Sequence, residues 1–327
     1  MENNKEHLVH IGLGKTGTTT LQNSVFPLVN TLRPDWIYND PTLIQHLRKI
    51  RIGSPSTEIK TIKSLLAGPG RGHFISMESL VNWNPRLWED SADMNLEIFG
   101  RNAKIIITVR ETIPWLTSVY QQKIHEGNII RPQDFFLTSG EYDKISSYIP
   151  LARLTRLDVD SFDLLKLKNI YEKRFDSVSF VPLKKIGNLT FLSEFFGLKE
   201  YEFRKLKKEF AGASHKNRAY SKIAMRLTFA REGFFSILGA TTYGSHFHIP
   251  TREFPSKLYG DKSPSSGLGF YQKIIQVPII ICRRLGWRGF LQNYLDKILP
   301  YQKYQLPPDV YINHVLQRSN DDFVDSL

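Results

Sequence analysis

The sequence contains a single cysteine, Cys282, and that scarcity removes several kinds of protein at once. A lone thiol forms no intramolecular disulfide and has no cysteine companions for a metal site, so a reducing compartment is expected. Long apolar runs are missing too: Ile274 to Cys282 is too short to span a bilayer. No internal repeat and no Pro/Ser-rich linker divides the 327 residues, so one enlarged domain over 1–327 is expected rather than two. Acidic residues are outnumbered, 32 Asp plus Glu against 44 Lys plus Arg, and the formal net charge of +12 favours anionic partners. The basic residues follow no DNA- or RNA-binding module, which argues against nucleic acid. The opening MENNKEHLVHIG leaves no room for a signal peptide ahead of the first apolar run.

What is present starts with residues 8 to 23, LVHIGLGKTGTTTLQN. Leu8, Val9 and Ile11 form a short apolar run that passes through Gly12 and Gly14 into Lys15-Thr16-Gly17-Thr18-Thr19-Thr20, after which Leu21 and Val25 fall at helical spacing. The order is strand, small-residue loop, helix. Small residues let backbone amides close around a phosphate, the helix N-terminus adds unpaired N–H groups, and Lys15 adds a full charge. A Walker A loop would need glycine five residues ahead of Gly14, where Val9 stands, so that nucleotide-binding pattern fails.

Lys104 to Arg110, KIIITVR, is an apolar run of the kind shown by a strand buried on both faces, and an arginine after such a strand is by itself a solvated end, an ion pair or an anion contact. The run ends in Arg110, whose planar fork suits phosphate oxygens. A helix should follow, with Thr112 as cap, Pro114 in the first turn and Gly127 as stop. A further strand, His73 to Met77, puts Glu78 at its carboxyl end, the end that lines the ligand crevice of doubly wound sheets.

Residues His10 to Gln22 resemble the 5′-phosphosulfate loop of the sulfotransferase family, whose bacterial members commonly read H-I-G-x-x-K-T-G-T-T-x-L-Q near the chain start. Gly14 stands where proline is usual. The family's second signature, an arginine at a strand end and a serine eight residues later on the 3′-phosphate, is matched by Arg110 and Ser118, with Tyr120 completing Ser-x-Tyr. The resemblance implies a P-loop-like three-layer α/β/α fold with a central, mostly parallel sheet and a helical, loop-rich C-terminal decoration. It implies 3′-phosphoadenosine-5′-phosphosulfate as sulfuryl donor, with Lys15, Thr16, Gly17, Thr18 and Thr19 on one end and Arg110 and Ser118 on the other. His215 to Ser221 occupies the place of a basic loop that closes over the 3′-phosphate in family members, so Lys216, Asn217 and Arg218 are candidate contacts, although Ala219 replaces the usual serine.

An acceptor hydroxyl or amine must lose its proton as it attacks sulfur, which calls for a base. Glu78 is the candidate, since ISMESL resembles the glutamate-bearing members. Its alternative is a capping or ion-pairing carboxylate, and His73 is held in reserve. In-line displacement would build negative charge on the leaving phosphate oxygen, opposite Lys15 and the loop amides. No metal is required. The acceptor is a glycan, lipid or small molecule. Two other readings stand beside this one, a P-loop nucleotide kinase and a non-catalytic nucleotide-binding protein. Family members of the Golgi carry a transmembrane stem, so its absence points to a cytoplasmic, bacterial enzyme.

The remaining sequence adds a helix over Phe162 to Phe175, a strand over Ser177 to Val181 and a buried helix from Leu189 to Phe196 stopped by Gly197. Residues 233–300 match the family poorly and are read as a divergent decoration. Within it Arg283, Arg284 and Arg288 beside Trp287, Phe290 and Leu291 suggest either a core helix or one lying peripherally on the inner membrane face. His246 and His248 lack a third ligand. The closing LPPDVYINHVLQRSNDDFVDSL reads as a proline-initiated packing helix, His314 included.

Overall fold

The computed structural model describes residues 5–50, 56–68, 72–125, 130–147, 155–211, 219–237 and 290–327. Its contacts divide the chain into two units, one built from residues 1–115, 160–215 and 313–327 and the other from 116–159 and 216–312. The described residues contain strands β1 (Leu8–His10), β2 (Trp36–Tyr38), β3 (Gly72–Ser76), β4 (Lys104–Val109), β5 (Phe136–Leu137), β6 (Leu157–Asp158) and β7 (Ser177–Pro182).

In the first unit five of these form one sheet in the order β2-β3-β1-β4-β7, with every neighbouring pair parallel. Parallel strands need crossover connections, and these carry the helices that flank the sheet, among them Phe26–Leu32, Pro41–Lys49, Ser56–Leu66, Trp88–Phe99 and Leu164–Glu172. The class is α/β, as the alternation of apolar runs and amphipathic segments predicts. Strand β1 lies at the centre, pairing Leu8 with Phe74 on one side and with Lys104 on the other. The chain therefore passes from β3 to β4 across β1, and that reversal opens a crevice at the carboxyl ends of the three strands.

The sheet is held by aromatic packing. Phe26, on the helical run after the loop, meets Phe74 of β3 edge-on at 4.7 Å between ring centroids, and Phe74 meets Phe196 at the same separation. Trp115 stacks on Phe162 at 4.1 Å. Gly72 is required at the start of β3 because a methyl group there would sit 1.9 Å from the Glu6 carbonyl oxygen.

Several helix boundaries differ from expectation because their caps come from elsewhere. The helix Thr112–His125 does not use Thr112 as its cap; the Thr112 N–H is instead bonded by Asp321 Oδ1 at 2.7 Å. Leu164–Glu172 is shorter than the expected Phe162 to Phe175 because Asp163 Oδ1 accepts from the Leu165 and Lys166 amides and starts the helix there. The closing helix is His314–Ser326, begun by the Asn313 side chain on the Leu316 N–H and not by Pro307 or Pro308. Gly197 does end Thr190–Phe196, in the left-handed conformation at φ +59°.

In the second unit β5 and β6 pair in parallel, and Thr138 and Glu141 close a reciprocal cap on the helix Ser139–Ser146. Tyr120 is buried against Phe135, Phe136 and Tyr304, its hydroxyl donating to Ile130 O at 2.6 Å. Much of the expected decoration, 238–289, lies outside the described residues, and with it Arg283, Arg284, Trp287 and Arg288. At its described end Leu291 is buried while Phe290 is exposed. Among the described residues no helix is long and apolar enough to cross a membrane.

Candidate functional site

Three candidate side chains leave three adjacent strands at one end of the sheet. Backbone pairing continues past the formal strand ends: Ile11 N–H bonds Ile106 O at 2.9 Å, Leu13 N–H bonds Thr108 O at 3.2 Å, and Met77 N–H bonds His10 O at 2.9 Å. β1 thus delivers the loop of Lys15, β3 delivers Glu78, and β4 delivers Arg110.

The loop itself is tightly built. Lys15 sits at φ +69°, a left-handed conformation that costs a side-chain-bearing residue about 1–2 kcal/mol and is characteristic of functional loops. Gly17 is favoured by φ +83°, and a methyl group there would lie 2.8 Å from the movable end of the Leu183 side chain. A methyl group on Gly12 would fall 1.9 Å from Thr108 Oγ1. The first helical bonds run from Thr20 and Leu21 N–H to Gly17 O, so the amides ahead of them stand outside the helical ladder, as an anion-binding turn requires. Thr19 is exposed beside them, while Thr16 and Thr18 are buried. The Thr16 hydroxyl turns inward to Leu13 O and Thr108 Oγ1, which leaves only its backbone facing the turn.

Glu78 lies directly over this loop: a methyl group on Gly14 would be 3.4 Å from Glu78 Oε2. Burial pushes the Glu78 carboxyl above the ordinary carboxylate range, and the Lys15 charge works against that rise. Arg110 Nη1 donates to Lys15 O at 3.4 Å, and its buried Nε has no hydrogen-bond partner among the described residues. Burial lowers the Arg110 pKa, opposed by Glu111. Trp115, fully buried, donates from Nε1 to Gly14 O at 2.9 Å and anchors the loop to the core. The arrangement can cradle an oxyanion on amides, one lysine and one arginine, and it holds a carboxylate within reach that can take a proton.

Beneath the site runs a chain of hydrogen bonds whose direction is fixed by its end. Leu13 O can only accept, so Thr16 Oγ1 donates to it. Thr16 Oγ1 then accepts from Thr108 Oγ1 at 2.6 Å, and Thr108 Oγ1 accepts from His10 Nε2 at 3.3 Å. His10 Nδ1 is left bare and takes the Ser76 hydroxyl proton at 2.7 Å. Burial lowers the His10 pKa to about 3, which keeps the imidazole neutral as this chain requires. Gln22 Nε2 donates to Ser76 Oγ at 3.1 Å, and Asn39 Oδ1 accepts the Ser76 N–H at 2.8 Å. The end of β3, two residues before Glu78, is thereby tied to Thr16, the residue after Lys15. His10 and Gln22 lie inside the motif that marks the loop; Ser76 and Thr108 stand on flanking strands, where no spacing in the sequence points to them.

A cleft of about 500 Å³ is lined by Glu78 together with residues that include Asn23, Tyr38, Asn39, Arg48 and Ser79. None of these five is marked by the sequence, because they come from separate elements that only folding brings together.

The other predicted residues are placed differently. Ser118 is half-buried on the helix Thr112–His125, which begins in the first unit and continues into the second, where Ser118 falls. Lys216, Asn217 and Arg218 lie outside the described residues, as do His246 and His248. His73 is buried near the start of β3, its ring 6.0 Å from that of His7, and so at the opposite end of the strand from Glu78. His314 is exposed and bonded to Gln317 Oε1 at 3.0 Å.

No protein-family model matches the chain. No curated protein matches it.

Proposed function

We propose that the chain is a sulfotransferase of P-loop-like α/β/α fold that moves the sulfuryl group of 3′-phosphoadenosine-5′-phosphosulfate to a hydroxyl or amine, working in the cytoplasm. The observation that carries this reading is the placement of the Glu78 carboxylate against the Gly14–Lys15 loop, within the field of the Lys15 charge. A proton acceptor next to an oxyanion cradle is what in-line displacement at sulfur needs.

The residues present fit such a donor. The amides of the turn at Gly17 and the Lys15 ammonium suit its 5′-phosphosulfate end, and the unpartnered Arg110 Nε, aligned beside the loop by the bond to Lys15 O, suits a further phosphate oxygen. Lys15 stabilises negative charge on the leaving oxygen. Glu78, raised by burial, binds a proton more readily than an exposed glutamate. The hydrogen-bonded chain from Ser76 to Thr16 keeps loop and base in one geometry, so that neither has to reorganise during transfer. The donor, when bound, supplies the sulfuryl group and departs as adenosine 3′,5′-bisphosphate.

Differential scanning fluorimetry tests the donor. Adenosine 3′,5′-bisphosphate should raise the melting temperature, and ATP with magnesium should not. The reverse result would indicate a kinase. Glu78→Gln should keep the nucleotide-dependent shift while losing sulfuryl transfer by about 10²-fold or more; retained turnover would remove Glu78 from the mechanism.

A further inference from the structure

The helical run that leaves the anion loop is not α-helical throughout: a π-helical turn, Leu21–Val25, lies between Thr18–Thr20 and Phe26–Leu32. Pro27 accounts for it. The missing N–H leaves Asn23 O without its α-helical donor and the ring crowds that same carbonyl, so the helix widens just ahead of the proline. The Phe26 N–H, which an α-helix would give to Gln22 O, goes to Leu21 O instead. In the π register the donor to Gln22 O would come from Pro27, which has none. Tyr38, at the end of β2, supplies it: its hydroxyl donates to Gln22 O at 3.2 Å.

The turn directs the Gln22 side chain to the end of β3. Gln22 Nε2 lies 3.1 Å from both the carbonyl oxygen and the Oγ of Ser76, the last residue of that strand. Asn39 adds to the hold, its Oδ1 accepting the Ser76 N–H at 2.8 Å and its Nδ2 donating to Ser76 O at 3.4 Å. With Ser76 Oγ donating to His10 Nδ1, every polar group of Ser76 is engaged, and by three elements other than its own strand.

Two residues further on, Glu78 has room to move. It stands over the Gly14–Lys15 loop and also lines the cleft of about 500 Å³ that it shares with Asn23 and Tyr38. An ionised carboxylate gains by hydration, so one held at a loose strand end would turn to the water of that cleft. A displacement of 1 Å in a reacting group is enough to cost about 10²-fold in rate. The end of β3 therefore needs fixing, and of the side chains that hold Ser76, Gln22 alone belongs to the helical run that the anion loop begins.

We propose that Gln22 is a positioning residue for sulfuryl transfer: held out by the π-helical turn, its amide fixes the end of β3 to the helix that starts at the anion loop and so keeps the Glu78 carboxylate over that loop. The proposal rests on the sulfuryl-transfer reading, in which Glu78 takes the acceptor's proton. Gln22 acts through Ser76 and not on the reacting atoms.

The test uses the full chain and needs no acceptor. Calorimetric titration with adenosine 3′,5′-bisphosphate comes first, and no binding ends the donor reading together with this proposal. With binding established, the glutamates are labelled with carbon-13 at Cδ, the Glu78 resonance is identified by its loss in Glu78→Gln, and its titration is followed by NMR. Burial places the wild-type midpoint above that of the exposed glutamates. In Gln22→Leu, which keeps most of the volume and loses the amide, the midpoint should shift down into the exposed range while the bisphosphate still binds. Should Gln22→Leu not fold, Pro27→Ala decides: at an exposed position it restores the missing N–H, lets the helix close toward the α register and should shift the midpoint down with Gln22 intact. A merely structural glutamine would lower the melting temperature and leave the Glu78 midpoint where it is. That result, or a wild-type midpoint already in the exposed range, overturns the positioning role and leaves the donor site standing. Loss of bisphosphate binding in a folded Gln22→Leu overturns it too, because Gln22 would then act on the donor.

Discussion

At Glu78 burial and the Lys15 charge act in opposite directions, with burial the larger, so the folded chain binds that proton more tightly than the unfolded one. A group whose pKa is raised by folding contributes stability that is complete below its ordinary range and is lost as pH rises through the folded value. Glu78→Gln removes this dependence. Calorimetry should therefore show the variant melting above the wild type at about pH 8, with the difference closing at about pH 4. A difference independent of pH would mean that the carboxyl does not experience the burial described. Lys15 carries the same message in its backbone: a lysine held in the left-handed region beside a half-buried carboxylate is a local sacrifice of stability, made at the place where the chemistry is expected.

Among the elements, the helix starts show how far local sequence reaches. Asn320 is fully buried; its Oδ1 accepts the Leu164 N–H at 2.7 Å, and its Nδ2 donates to Phe162 O at 2.7 Å. With Asp163 on the next two amides, the first turn of Leu164–Glu172 is satisfied. Asn320→Ala leaves two buried backbone groups unpaired, and urea unfolding should register a loss of roughly 2–4 kcal/mol; a loss under about 0.5 kcal/mol, the size of an ordinary surface substitution, would contradict this accounting. No local pattern announces these bonds, since the partners lie more than 150 positions apart in the chain. The same distance explains the misplaced cap at Thr112. What was legible were strands centred on short apolar stretches, β1, β3, β4 and β7, each within a residue or so of its observed span. Strand β2, at three residues, and the helices Pro41–Lys49 and Trp88–Phe99 were not anticipated. The loop at Lys15 and the arginine after β4 were visible as motifs; the cleft was not, because Tyr38, Arg48 and Ser79 share no spacing.

Across the whole molecule, three histidines make the fold sensitive to acid. Burial lowers His10 to about 3 and, with help from His73 and Lys5, lowers His7 to about 4; His73 is also lowered, chiefly by burial. Each is harder to protonate in the folded chain than in the unfolded one, so the unfolded chain binds more protons below the ordinary histidine value, and stability present above about pH 6.5 is lost as pH falls toward 4, the folded value of His7. Urea midpoints should drop steeply over that window, and His10→Gln should reduce the slope by up to about 1.4 kcal/mol per pH unit. An unchanged slope in the variant would show that His10 takes up its proton while folded.

The sheet unit is assembled from three stretches separated in the chain, 1–115, 160–215 and 313–327. A nascent polypeptide that has emerged through Phe162 and Leu164 still lacks Asn320 and Asp321, and the helix starts at Thr112 and Leu164 stay hydrated until those side chains leave the ribosome. Vectorial synthesis thus supplies the loop of Lys15 long before the clasp that closes its scaffold, so the final docking step is expected only after Asn320 and Asp321 have been translated.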